Sequence, residues 1–277
     1  MSSRDAQAAS AVSSSATAPP RRSVRPPAWA LDAVIPVLAL IGLVAVWELS
    51  VWFFAIPGYL FPAPSVIWAE MVENAGMIWG HTLATTRTVA LGFIASIVIS
   101  LPLAVAITSS PLMANTIYPF LVLTQSIPKV ALAPILVVVM GANELPRVVI
   151  TFLVAFFPLV LATAAGLQSV PAELIELGRA CRASRWKELI RIRLPYAVPF
   201  VFSGLKAAVT LSVVGAVVAE FVNADRGLGY LIVTSTAFFE VALAWAALIV
   251  LSVLGIVLFQ IVAVVEHVLF PWSAGKT

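Results

Sequence analysis

The chain has 277 residues, of which 61% are hydrophobic and only 10% are charged, and its net charge at pH 7 is +3. Soluble domains carry about 25% charged residues, so this composition excludes an ordinary soluble protein. Several apolar stretches reach the ~20 residues that a helix needs to cross a bilayer. Because unpaired backbone groups are too costly in lipid, these stretches predict an all-α polytopic membrane protein. The net charge gives no reason to expect a nucleic-acid partner. The sole cysteine, Cys181, allows no disulfide within the chain and no metal or redox motif. No cofactor is expected.

Residues 1–28 are rich in Ala, Ser and Pro and contain four arginines. Such a segment cannot bury a core, which predicts a disordered cytoplasmic tail. The apolar run at 31–56 is too long for a signal peptide and predicts the first transmembrane helix. Residues 57–80 contain three prolines and neither lysine nor arginine, which is typical of a loop on the outer face of the membrane.

Five further apolar stretches predict transmembrane helices, at about 82–107, 113–140, 148–167, 196–221 and 241–269. We expect Pro128 and Pro134 to break the third span. Six crossings place both termini and the charged segment 171–195 on the same side of the membrane. That side then holds most of the lysines and arginines, so the positive-inside rule makes it cytoplasmic. The transmembrane domain is therefore predicted at 29–270, with a short cytoplasmic tail at 271–277.

The charged segment 171–195 reads PAELIELGRACRASRWKELIRIRLP and holds six of the sixteen basic residues. Pro171 suits the first position of a short helix, and Glu173 suits its first turn. Leu174, Leu177 and Cys181 recur at helical spacing and predict one face of that helix.

A second short helix is expected after Ser184, whose hydroxyl can cap it. Glu188 and Arg191 lie three residues apart and are predicted to pair on this helix. Pro195 is expected to end the water-exposed part and to open the fifth span.

The spacing in this segment resembles the cytoplasmic signature of permease subunits in ATP-binding cassette (ABC) importers. That signature reads Glu-Ala-Ala, three residues, Gly, nine residues, Ile, one residue, Leu-Pro. The chain keeps this spacing throughout and matches the residue type at Glu176, Ile192, Leu194 and Pro195. It departs from the signature at Leu177 and Gly178, which replace two alanines, and at Arg182, which replaces the glycine at the turn.

Other stretches are similar to the nitrate, sulfonate and taurine branch of these permeases, and the resemblance covers roughly residues 31–270. They are GYLFPAPSVIW (58–68), SIPKVALAPILVVVMG (126–141), FFPLVLATAAGLQSVP (156–171) and VVAEFVNADRGLGYLI (217–232). The resemblance implies a type I ABC importer permease fold in the inner (plasma) membrane and a non-catalytic role. It also implies a homodimer that works with a cytoplasmic ABC ATPase dimer and an extracytoplasmic substrate-binding protein. The expected substrate is an aliphatic sulfonate, taurine or nitrate, with a vitamin precursor as the alternative.

In such importers the first helix of the charged segment docks into a groove on the ATPase. An apolar strip ringed by charge suits such a groove. The resemblance therefore implies ATPase-coupling roles for Glu173, Leu174, Glu176, Leu177, Gly178, Arg182, Trp186, Ile192, Leu194 and Pro195.

Ionisable residues inside membrane spans are costly and are functional hypotheses by default. Lys129 lies at the predicted break of the third span, where it could meet an anionic substrate, pair with a residue of the chain or reach a membrane interface. Glu220 is the second candidate for the translocation path, although an ion pair with Lys129, Arg87 or Lys206 is the favoured interpretation. Glu48 is expected to pair with another span. A further open choice concerns the small residues of the fifth span, which pack either within the chain or across a dimer (Ala208, Ser212, Gly215 and Ala216).

Two rival classes fit the sequence less well. A secondary transporter driven by an ion gradient often carries paired broken helices, but no second stretch matches the one between Pro128 and Pro134. A membrane scaffold without transport activity gives no reason for Lys129 within a span. An enzyme is not expected because no Ser/His/acid set converges. The terminal AGKT also lacks the earlier glycine of a phosphate-binding loop.

Overall fold

The structure, a computed structural model, describes residues 28–273, so most of the predicted tail at 1–28 and residues 274–277 lie outside the described range. Within that range the chain forms helices and no strand. The helices are α1 (Ala28–Phe53), α2 (Pro64–Glu73), α3 (Ala75–Ser109), α4 (Pro111–Gln125), α5 (Ala133–Met140), α6 (Glu144–Gln168), α7 (Ala172–Ala180), α8 (Arg185–Glu188), α9 (Leu194–Val222), α10 (Leu228–Ala237) and α11 (Val241–Leu269). A 3-10 turn (Lys129–Leu132) precedes α5, and a π-helical turn (Leu189–Arg193) joins α8 to α9.

The chain divides into two structural units, one ending at Trp47 and one beginning at Glu48. The described part of the first unit, residues 28–47, is helical and belongs to α1. The second unit holds the end of α1 and all the other helices.

Five of the described helices are long and apolar enough to cross a membrane. A sixth span is obtained if α4 and α5 with its preceding 3-10 turn are taken as one span bent by 81°. This agrees with the six predicted spans. However, the third span breaks once, before Lys129, and not at Pro134. Pro134 lies in the first turn of α5, where a backbone N–H has no hydrogen-bond partner within the helix, so a proline is tolerated there.

Pro195 lies in the first turn of α9, in agreement with the prediction that it opens the fifth span, but no break in the helix precedes it. The helix runs continuously from Arg185 to Val222. In the π-helical turn the N–H of Leu194 donates to the carbonyl of Leu189, five residues earlier. This wider turn comes immediately before Pro195, so the helix continues past a residue that has no N–H to donate.

The core of the second unit is built on the contact between α6 and α9, with α3 packed against α6. Small residues bring these helices close together. A Cβ atom on Gly215 would lie 3.1 Å from the Thr151 Cα, and one on Gly204 would lie 2.7 Å from the Ala162 Cβ. Ala208 is fully buried with Ala155 of α6. The small residues of the fifth span therefore pack within the chain, which decides between the two alternatives left open by the sequence.

Candidate functional site

The segment 171–195 forms two short helices, α7 and α8, as predicted. Pro171 precedes α7 as its N-cap residue, with ψ at 140°, and does not occupy the first helical position. Ser184 caps α8, because its hydroxyl oxygen accepts a hydrogen bond from the Lys187 N–H at 3.3 Å.

Helix α7 has one face turned into the protein and one turned outward. Ile175 and Gly178 are buried, and a Cβ on Gly178 would lie 2.7 Å from the Ile192 Cδ1, so α7 sits directly over the π-helical turn. The outward face carries Leu174 and Leu177, and the Leu177 side chain is 60% exposed. This exposed apolar pair on a short polar helix outside the candidate spans is the surface that the predicted docking would use.

The other predicted coupling residues are distributed around this pair. Glu173, Glu176 and Arg182 are exposed, and Trp186 of α8 is 67% exposed. Ile192 is half-buried against α7, whereas Leu194 and Pro195 are exposed in the first turn of α9. We name the exposed set the coupling surface (Glu173, Leu174, Glu176, Leu177, Arg182 and Trp186).

Arg182 occupies the turn between α7 and α8 with a φ of +53°. Two backbone bonds define the turn: the Arg182 N–H donates to the Arg179 carbonyl at 2.9 Å, and the Ala183 N–H donates to the Gly178 carbonyl at 3.0 Å. This pattern is a Schellman C-cap, whose left-handed residue is usually glycine. The departure at Arg182 thus places a residue with a Cβ where the backbone favours glycine.

Arg182→Gly is therefore expected to stabilise the protein by about 0.5–1 kcal/mol, since relief of the left-handed strain exceeds the added entropy of the unfolded chain. The measurement is thermal unfolding in detergent. Arg185→Gly is the matched control, because it removes a neighbouring exposed arginine from the first turn of α8 and should destabilise slightly. A lower melting temperature for Arg182→Gly would contradict the role of the turn.

Glu188 pairs with Arg193 and not with Arg191, so the predicted pair is wrong. The Glu188 Oε1 accepts from the Arg193 Nε at 2.8 Å and from its Nη2 at 2.7 Å, and the Glu188 Oε2 lies 3.8 Å from the Arg179 Nε. The π-helical turn widens the spiral, which places the fifth residue, instead of the third or fourth, beside Glu188.

This ion pair also reaches α6. The Arg193 Nη1 donates to the Leu167 carbonyl at 3.3 Å, near the C-terminus of α6. Glu188 is buried, and charge-assisted hydrogen bonds of this kind are strong. The pair therefore ties the charged segment 171–195 to α6 and to the start of α9. The sequence did not predict the Glu188–Arg193 pair, because the spacing of its two residues depends on the π-helical turn.

Lys129 lies at the bend of the third span. Its Nζ is 5.9 Å from the centroid of the Phe157 ring, and no carboxylate of the described chain lies within ion-pair distance of it. It lines a cavity of about 250 Å³ together with residues of α4 and α6. An ion pair between Lys129 and a carboxylate of the described chain is therefore not observed, and its contact within the chain is the cation–π contact with Phe157.

The position of Phe157 along α6 shows which part of this candidate span lies beside Lys129. Phe157 is 13 residues from the start of α6 at Glu144 and 11 from its end at Gln168. At 1.5 Å per residue these separations are about 20 Å and about 17 Å. The Lys129 Nζ therefore lies beside the middle of α6 and not beside either end, which argues against the alternative that Lys129 reaches a membrane interface.

Glu220 makes none of the three predicted ion pairs. Arg87 pairs with Glu144 at 3.1 Å, and Lys206 pairs with Glu266 at 2.7 Å. The Glu220 side chain points instead to the start of α10, where its Oε2 accepts from the Gly229 N–H at 2.8 Å.

Thr85 completes the contact at the start of α10. Its hydroxyl donates to the Glu220 Oε2 at 3.1 Å and accepts from the Leu228 N–H at 2.8 Å. A carboxylate at a helix N-terminus is favourable because it meets unpaired N–H groups and the positive end of the helix dipole. Glu220 therefore joins α3, α9 and α10.

Glu48 likewise binds a helix start and not a charged residue of another span. Its two carboxylate oxygens accept from the Ser65 N–H at 3.0 Å and from the Ser65 hydroxyl at 2.7 Å. Ser65 lies in the first turn of α2, so Glu48 supplies the acceptor that this end of the helix lacks.

Comparison with known proteins places this geometry in a family. Residues 96–269, more than half of the chain, match the family described as binding-protein-dependent transport system inner membrane component. The formylaminopyrimidine transport permease ThiX of Halalkalibacterium halodurans is 32% identical over 87% of this chain and 96% of its own length. The riboflavin transport system permease RibX of Chloroflexus aurantiacus is 31% identical over 86% and 90%. The nitrate import permease NrtB of Synechocystis sp. is 27% identical over 94% and 98%.

Among solved structures, an inward-facing MetNI methionine ABC transporter matches with a TM-score of 0.64 and 18% identity, over 71% of this chain and 97% of the matched chain. At this identity the match shows the fold alone, and it supports the type I importer permease fold. ATP hydrolysis in this family belongs to a separate subunit. The chain belongs to the binding-protein-dependent transport family and is a non-catalytic inner-membrane permease subunit of an ABC importer for small solutes.

Proposed function

We propose that two copies of this chain form the membrane path of the importer and bind a cytoplasmic ATPase dimer through the coupling surface. An extracytoplasmic binding protein delivers the solute. The observation that carries the proposal is the exposed Leu174–Leu177 pair on a helix whose neighbours are tied to the spans through Glu188 and Arg193.

The proposed coupling follows from these contacts. Movement of the ATPase displaces α7, which lies over the π-helical turn. The Glu188–Arg193 pair and the Arg193 bond to the Leu167 carbonyl pass that movement to α9 and α6. Because α6 and α9 are closely packed, we expect them to move together rather than deform.

We propose that the solute passes the bend of the third span and carries a negative charge that Lys129 meets. Broken helices near the middle of a membrane are common sites for transported solutes. A vitamin precursor that carries an anionic group is favoured over an inorganic anion, because the formylaminopyrimidine and riboflavin permeases are more similar to this chain than the nitrate permease is. Aliphatic sulfonates and taurine remain the second candidate class.

The test is uptake into liposomes that contain the chain, its ATPase and its binding protein. Lys129→Gln is expected to lower ATP-dependent uptake at least ~10-fold, as loss of a desolvated charge contact implies, with unchanged ATPase co-purification. Lys129→Arg keeps the charge and is the control, for which we expect a smaller loss. Uptake that continues with an inactive ATPase would contradict the proposal and favour an ion-gradient-driven transporter.

A further inference from the structure

The cavity at the bend of the third span has an unusual wall for the path of a small anion. Four phenylalanines line it: Phe120 from α4 and Phe152, Phe156 and Phe157 from α6. The Phe152 and Phe156 rings lie 5.2 Å apart. We name this space the midplane aromatic cavity.

Lys129, whose ammonium lies over the Phe157 ring, supplies the charged group of this cavity and makes no ion pair within the described chain. Thr124, which also lines it, already donates its hydroxyl hydrogen to the Leu121 carbonyl at 2.8 Å. An ammonium within a membrane span is costly when it faces hydrocarbon. The cavity therefore suits a water-filled path or a ligand better than it suits lipid.

The size of the cavity limits what it can hold. An apolar cavity of about 150 Å³ accommodates benzene. The midplane aromatic cavity, at about 250 Å³, has room for a substituted ring or two fused rings. Ring faces attract another ring by offset stacking or edge contact, which an aliphatic or inorganic ion cannot provide.

A small hydrated anion would lose water on entering this cavity and would gain one ammonium contact in return. Polar groups that are buried without replacement hydrogen bonds are disfavoured. A flat ring that carries one negative group satisfies both the walls and Lys129. We propose that the midplane aromatic cavity binds a flat aromatic or heteroaromatic solute with one anionic group, and that it selects for the ring during transport. This inference rests on the proposed function, because it identifies the solute class of the same path.

The test compares two probes with the same anionic group, benzenesulfonate and methanesulfonate. Each is titrated against the permease–ATPase complex in nanodiscs, and binding is followed by saturation-transfer NMR. Benzenesulfonate is expected to bind at least ~10-fold more tightly, because ring stacking adds to the shared ammonium contact. Equal affinities, or no binding of either probe because lipid or the second copy fills the cavity, would overturn the inference.

Two variants locate the binding. Phe120→Leu and Phe156→Leu keep apolar volume while removing a ring. Each is expected to lower the affinity for benzenesulfonate about 3-fold to 10-fold. Phe120 is 67% exposed, so its replacement leaves the core intact. Phe200→Leu is the matched control, since Phe200 lies on α9 and outside the cavity. A similar loss in all three variants would overturn the assignment.

Lys129→Gln is expected to lower the affinity for benzenesulfonate while leaving the affinity for benzamide, an uncharged ring compound, unchanged. ATP-dependent uptake is measured in parallel, which separates this inference from the proposed function. Normal ATP-dependent uptake without ring preference overturns the inference alone. Ring preference with uptake that ignores ATP overturns the proposed function alone.

Discussion

Leu177→Asp is expected to abolish ATP-dependent import and to release the ATPase, while the permease remains folded in the membrane. The Leu177 side chain is 60% exposed on α7, so the substitution removes little of the protein's own packing. If Leu177 occupies an apolar groove on the ATPase, the new carboxylate loses its water without gaining a partner. We expect the affinity for the ATPase to fall at least ~30-fold, as central apolar contacts of an interface can cost about 2 kcal/mol or more when lost.

Co-purification of the ATPase and uptake into liposomes measure this effect. Leu112→Asp is the matched control: Leu112 is exposed on α4, at the membrane side predicted to be cytoplasmic, but lies outside the coupling surface. Glu176→Lys should act in the same direction as Leu177→Asp, because it reverses a charge beside the apolar pair. Retained ATPase binding in Leu177→Asp, or an equal loss in Leu112→Asp, would contradict docking at the coupling surface.

The sequence was sufficient for the features that depend on neighbouring residues. Apolar length predicted the spans, and the Ser184 hydroxyl was correctly expected to cap α8. The break of the third span was also predicted, although at two prolines instead of one place. Pro134 was misjudged because a proline interrupts a helix only when its N–H would have been used, and the first turn of α5 does not use it.

The sequence was insufficient where register or distant contacts decide the partner. Glu188 was assigned to Arg191 on α-helical spacing, but the π-helical turn brings Arg193 beside it. The midplane aromatic cavity is lined by Phe120 and by residues of α6 that lie more than thirty positions later in the chain. A single sequence does not show which distant residues lie together. Arg182 was recognised as a departure at the turn, but its left-handed φ is visible only in the structure.

Glu220→Ala is expected to destabilise the permease by about 3 kcal/mol or more. Glu220 is 2% exposed, and alanine would leave the Gly229 N–H and the Thr85 hydroxyl without their acceptor in a buried place. Buried polar groups that lose a charged partner cost about 1–3 kcal/mol each, and the removed side chain leaves a cavity as well. Thermal unfolding in detergent measures the loss, and hydrogen exchange should increase at the start of α10.

Glu240→Ala is the matched control, because Glu240 is an exposed glutamate just before α11 and should change stability little. Gly229→Ala tests the same contact from the other side. A Cβ there would lie 2.8 Å from the Val217 carbonyl oxygen and 2.9 Å from the Glu220 Cβ, so it should push α10 away from α9.

Glu220→Gln separates an anchoring role from a role in the solute path. Glutamine keeps a carbonyl oxygen that can accept from the Gly229 N–H, so we expect most of the stability and of the uptake to be retained. If Glu220 instead meets the solute or gates its passage, the loss of charge alone should reduce uptake in a protein of normal stability. That outcome would support a position for Glu220 in the translocation path beside Lys129. If only Glu220→Ala loses both stability and uptake, the result supports the role of Glu220 in holding the start of α10.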